Sequence, residues 1–110
     1  MNRVECLEAA RQAVAERGGQ YGRPEDLFRV IAKLWEPLVG KPITPELVAL
    51  MMVQLKVARA AANPDHSDSW ADGAGYFACG AEVATASRSA RIVSLSRSLT
   101  DPRRDEDDGA

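Results

Sequence analysis

Apolar positions recur along this chain at helical spacing, and most runs stop at a recognisable signal. From Arg3 to Arg17, Val4, Leu7, Ala10 and Val14 share one side of a helix, with Glu5, Glu8, Arg11, Glu16 and Arg17 opposite. Gly18-Gly19 predicts its end, because glycine past the last turn commonly closes a helix. Gln20-Tyr21-Gly22-Arg23-Pro24 reads as a loop. Pro24 opens a second helix, and Glu25 and Asp26 fill its first turn, where the helix dipole favours acids. Leu27, Phe28, Ile31, Leu34, Trp35 and Leu38 form the next apolar stripe. Proline disfavours helical geometry in the residue before it, so Glu36-Pro37 predicts that this helix stops near Trp35.

The third start is the clearest: Thr44 as cap, Pro45 at the first helical position, Glu46 behind it. From Pro45 to about Ala62 the chain is apolar on nearly every side, with Leu47, Val48, Leu50, Met51, Met52, Val53, Leu55, Val57 and Ala58. A helix apolar all round is expected to be buried on several faces, so this one should be central. After the loop Asn63-Pro64-Asp65-His66, a fourth helix should run from about Ser67 to Ala86. Its interior glycines, Gly73, Gly75 and Gly80, each cost on the order of 1 kcal/mol relative to alanine. Close approach by another helix, or by a ligand, is the offset to expect.

The expected fold is therefore all-α: three to four helices around a central buried helix, with an antiparallel hairpin over 45–86. Residues 1–86 read as a single helical domain. Residues 87–110 read as a Ser/Arg-rich marginal helix, with Ile92, Leu95 and Leu99 at helical spacing, followed by a charged, solvated tail.

Composition narrows the classes. A chain of 110 residues holds one core, and a net charge of −2 argues against general affinity for a nucleic-acid backbone. Cys6 and Cys79 form no CxxC pattern, and with His66 the lone histidine a Cys/His zinc site is not expected. The amphipathic start, MNRVECLEAARQAV, is unlike a secretion segment. The least polar run, Gly73 to Ala81, is far short of the ~20 residues needed to cross a bilayer. Two thiols in such a chain fit a reducing cytoplasm. Trp35 and Trp70 are expected as core anchors, Cys79 as inert packing, and His66 as a capping or solvent-facing residue.

Candidate chemistry lies where the hairpin brings charges together. Residues equally far from its turn lie side by side, so Lys56 and Arg59 should sit beside Asp68 and Asp72, with Tyr76 and Glu82 further along. Asp68 and Asp72 are one helical turn apart, at ~6 Å. Glu82 shares their side but lies ~21 Å along the axis from Asp68, so one ion cannot touch both. Magnesium takes one or two carboxylates plus water and phosphate oxygens, and Lys56 and Arg59 suit phosphates. The metal candidates are thus Asp68, Asp72 and Glu82. The ligand or phosphate candidates are Lys56, Arg59, Tyr21 and Tyr76, the tyrosines offering rings to a base or ribose. The plainer alternative is that the four charges form ion pairs pinning the hairpin. No Gly-rich phosphate loop, GxSxG or histidine-based triad is present.

One pattern adds to this reading: Tyr21-Gly22-x-Pro24, Phe28-x-x-Ile31-Ala32-x-Leu34-Trp35, Leu55-Lys56-x-Ala58-Arg59, and Asp68-Ser69-Trp70-x-Asp72-x-x-Gly75-Tyr76. Over residues 16–83 it resembles a small phage- and actinobacteria-associated domain family of unknown function. It is distantly similar to helical domains associated with phage nucleotide modification. Through them it resembles the all-α nucleoside triphosphate pyrophosphohydrolases of the MazG type. The resemblance implies a helical domain that handles nucleotides with magnesium. Those enzymes carry ExxE and ExxD metal motifs that this chain lacks, and only Asp68, Asp72 and Glu82 could stand in. Leu27 stands where the family pattern favours asparagine, and Gly73 where it favours a larger apolar residue.

Two functional expectations follow. One is a phage-type protein that binds a (d)NTP or another nucleotide, with or without Mg2+ and pyrophosphohydrolysis, in the cytoplasm of a bacterial host. The other is a non-enzymatic interaction protein that captures a host or phage protein through exposed helix faces and its Ser/Arg-rich end. A homo-oligomer completing a helical bundle is expected in either case. A nucleic-acid accessory role through Arg88, Arg91, Arg97, Arg103 and Arg104 is opposed by the acidic run Asp105 to Asp108.

Overall fold

A computed structural model describes residues 1–100, apart from the side chains of residues 17–21, 87, 89–91 and 100. All described secondary structure is helical: α1 (Arg3–Tyr21), α2 (Pro24–Val39), α3 (Pro45–Ala62) and α4 (Ser67–Thr100). The charged tail expected after Thr100, with Arg103, Arg104 and Asp105 to Asp108, falls outside the described residues.

Local signals set the helix starts. Asn2 caps α1 by accepting from the Glu5 amide at 2.9 Å, and Glu5 reaches back to the Asn2 amide, a reciprocal capping box. The Thr44 hydroxyl accepts from the Leu47 amide at 3.2 Å at the head of α3.

Three helix ends differ from expectation, those of α1, α2 and α4. α1 passes through Gly18-Gly19 and stops only at Gly22, whose φ of 77° is open to glycine and strained for other residues. α2 passes through Pro37 to Val39. A proline this close to the end removes only one backbone bond. Gly40, at φ 80°, then closes the helix by donating its amide to the Glu36 carbonyl at 2.7 Å.

The core is Phe28 and Ala32 of α2, Ile43 before α3, Val48 and Ala49 of α3, and Val83 of α4. Ile31, Trp35, Met52, Tyr76 and Cys79 pack around it. The helix with the broadest contacts is α4, not α3: α4 and α2 each touch all the others, whereas α3 does not touch α1. α3 packs against α4 and α2 through one side, leaving Leu47, Leu50, Met51 and Leu55 exposed. α4 also continues past Ala86 to Thr100, and from Ile92 to Leu99 every side chain is exposed.

α3 and α4 run antiparallel: Lys56 meets Asp72, Lys56 Cβ lies beside Gly73, and Ala49 lies beside Gly80. A Cβ built on Gly80 would stand 3.0 Å from the Ala49 Cβ, a backbone approach that only glycine permits without a shift. Among the described residues no helix is long and apolar enough to cross a membrane.

Candidate functional site

The hairpin brings one of the two expected charge pairs together. Lys56 Nζ lies 3.1 Å from Asp72 Oδ2, with side chains 13% and 23% exposed. Arg59 and Asp68, each nearer the turn, are exposed and share no ion pair. Arg59 borders an open depression with Ala62, Asn63, His66 and Ser69. At this end the turn is tied by Trp70, whose indole N–H donates to the Pro64 carbonyl at 2.9 Å. Trp70 is therefore a half-exposed clasp on the loop, whereas Trp35 packs on the core as expected. His66 is solvent-exposed, with Nδ1 3.5 Å from the Oγ of buried Ser69.

Asp72 faces a cleft between the end of α1, the start of α2 and the middle of α4. Its walls are Val14, Gly22, Pro24, Leu27, Phe28, Gly75 and Cys79, and its polar side-chain groups come from Asp72 and Tyr76. Tyr76 stands against Phe28 with ring centroids 6.5 Å apart and planes tilted by 34°. The cleft has a cavity volume of about 70 Å³ and opens to solvent. Tyr76 was visible in the sequence as a candidate, but Phe28 reads there only as core. Nothing in its own stripe shows that the ring lies at the boundary between core and cleft. Tyr21 directly precedes the cleft residue Gly22, and its side chain lies outside the described residues.

The metal candidates do not converge. Among the described residues no group of three histidine, cysteine or acidic side chains could hold an ion. Asp72 is engaged by Lys56, Asp68 points to water, and Glu82 is exposed further along α4. Glu82 instead lies in the field of Arg23. That guanidinium is held above its ordinary range by the hydrogen bond to Asp26, then by the charge of Glu25, with Asp26 and Glu82 adding to it. Arg23 Nη1 is 3.1 Å from Glu25 Oε1, so two acids of α2 already occupy the cation at the cleft's edge. Cys6 and Cys79 form no disulfide.

Sequence comparison gives this arrangement a context. The family model described as "Domain of unknown function (DUF6378)" matches residues 5–84, a longer span than the pattern over 16–83. The Gene 55 protein of Mycobacterium phage D29 is 39% identical over 72 residues, 66% of this chain and 48% of that protein. The Gene 55 protein of Mycobacterium phage L5 is 42% identical over 62 residues, 56% of this chain and 40% of that protein. The chain thus spans about half the length, or less, of these phage relatives. No solved structure matches the chain.

Proposed function

Because the chain belongs to the DUF6378 family, we propose a role for it on the chemistry of its cleft: it binds the base or nucleoside part of a nucleotide. The observation that carries this is an otherwise apolar cleft presenting one carboxylate, Asp72, and one phenol, Tyr76, beside the Phe28 ring. Pockets of this make-up suit flat, weakly polar ligands, the few polar groups fixing orientation. A nucleobase has such faces and N–H edges that a carboxylate accepts. Lys56 holds Asp72 in place through their ion pair. Arg59 stands outside the cleft, free to meet phosphates in solvent.

The magnesium pyrophosphohydrolysis suggested by the MazG likeness lacks this support. A metal would have to displace Lys56 from Asp72, and among the described residues no group of three acidic, histidine or cysteine side chains gathers to hold an ion. The reading therefore stops at binding. It is tested by thermal shift and calorimetry with nucleosides and (d)NTPs, with and without magnesium, alongside an assay for pyrophosphate release. Asp72→Asn and Tyr76→Phe should weaken binding at least several-fold while the chain stays folded. No shift with any nucleoside or nucleotide would end the proposal.

A second reading, a protein-binding module, is favoured by one observation: the breadth of exposed apolar side chains on α2, α3 and α4. The same titration separates the two, because a pure binding module would show Asp72→Asn changing stability and no small-molecule affinity.

A further inference from the structure

The α3–α4 hairpin has two sides, and only one is covered. Tyr76, Cys79 and Val83 of α4 meet Met52 and Val48 of α3 under α2. On the other side the two helices form an open groove. Its floor is small, with Ala60, Gly73 and Ala74, and its rims are Val57, Trp70 and Phe77. Around the axis of α3, Leu50 lies ~20° and Leu47 ~80° from Val57, so these two exposed residues extend the Val57 rim as an apolar stripe, whereas Met51 and Leu55 face away from the groove.

We propose that this side is covered by a second copy of the chain, the two hairpins packing groove to groove as a four-helix bundle. Area supports it. Trp70 and Phe77 are 52% and 61% exposed, so from the ~200 Å² such rings can bury they offer ~200 Å² together. Leu47, Leu50 and Val57, 41%, 47% and 54% exposed, add roughly 40 Å² apiece. A little over half of an interface is apolar, so ~320 Å² of apolar area corresponds to ~560 Å² per copy. Two copies then bury ~1,100 Å² in total, above the ~1,000 Å² that a specific interface should clear.

Charge supports it as well. The stripe and rims carry no charged side chain to select an opposite partner, and the lysine at the groove, Lys56, is neutralised within its own chain. An uncharged surface of small floor and large rim is complementary to itself across a two-fold axis, each copy's large residues entering the other's small ones. This association is independent of the ligand reading, since the cleft with Asp72 and Tyr76 opens toward α1 and α2.

Sedimentation and light scattering of the full chain test it. The expected result is a dimer at micromolar concentration whose association does not weaken as sodium chloride rises, as for an uncharged interface. Val57→Glu and Phe77→Glu, both at exposed positions, should give a monomer with unchanged helical circular dichroism and unchanged nucleotide response. A chain that is monomeric at every accessible concentration overturns the proposal. So does a dimer that survives both substitutions, because it would then use another face.

Discussion

The two ends of the α3–α4 hairpin are built differently. Far from the turn the helices press together: Val48 and Val83 are fully buried, and a Cβ added at Gly80 would stand only 3.0 Å from the Ala49 Cβ. Near the turn contact is looser. A Cβ on Gly73 would lie an ordinary 3.6 Å from Lys56 Cβ, Lys56 and Asp72 keep partial access to water, and Arg59 and Asp68 are exposed. Small residues thus serve two ends in one helix. At Gly80 they close the core, and at Gly73 and Ala74 they leave a groove.

The largest expected effect breaks this contrast directly. Gly80→Val should destabilise the chain by about 2 kcal/mol, because Ala49 is buried and its methyl cannot move aside. Gly73→Ala should stabilise by ~0.5–1 kcal/mol, since the position has room and the helix gains from the lost glycine. Chemical denaturation of both variants measures this. Equal losses would mean that the turn end is as tightly packed as the core end.

A smaller effect sharpens the comparison of the two charge pairs. Asp72→Ala strands a half-buried ammonium and should lose about 1.5 kcal/mol. A double-mutant cycle on Lys56 and Asp72 should show coupling of about 1 kcal/mol. The same cycle on Arg59 and Asp68 should be additive within ~0.3–0.5 kcal/mol. Coupling between Arg59 and Asp68 as strong as that of the first pair would show that the turn end closes in solution.

These outcomes bear on what the residues disclose in advance. Caps and loops were legible because their causes are local: Thr44-Pro45 opens α3 and Asn63 to His66 joins it to α4, as one turn of sequence suffices to specify. The hairpin register was legible too, and it puts Lys56 beside Asp72. It fails for Arg59 and Asp68 because equal distance from a turn is only half the condition. Three residues from Lys56 turn the helix by about 60°, and four from Asp72 by about 40°, enough to swing both side chains off the shared seam. The cleft and the central place of α4 were not legible. Both arise where α1, α2 and α4 meet, and no single periodicity records which apolar stripe covers which. The all-round apolar pattern of α3 predicts burial on several faces and association of two chains. Within one chain Leu47, Leu50 and Val57 on one of its sides are exposed, and that is the side the proposed second copy covers.

The smallest effect isolates contact from burial. Glu8 and Arg11 touch, with Arg11 Nη2 2.7 Å from Glu8 Oε1, yet both are largely exposed. The hydrogen bond from Arg11 holds the Glu8 carboxyl below its ordinary range, against the opposing desolvation, and the arginine's charge adds to it. A depressed folded pKa stabilises the fold above the ordinary glutamate range, and that contribution disappears as pH falls through the lowered value. Glu8→Gln should therefore lower the melting temperature slightly at about pH 7, and the difference should shrink as pH falls below the ordinary glutamate range. Lys56 and Asp72 make a similar contact but are half-buried, so their coupling should exceed this one clearly. If Glu8→Gln matches the loss from Asp72→Asn, contact alone carries the stabilisation, and the half-buried setting beside the cleft contributes nothing to holding Asp72 in position.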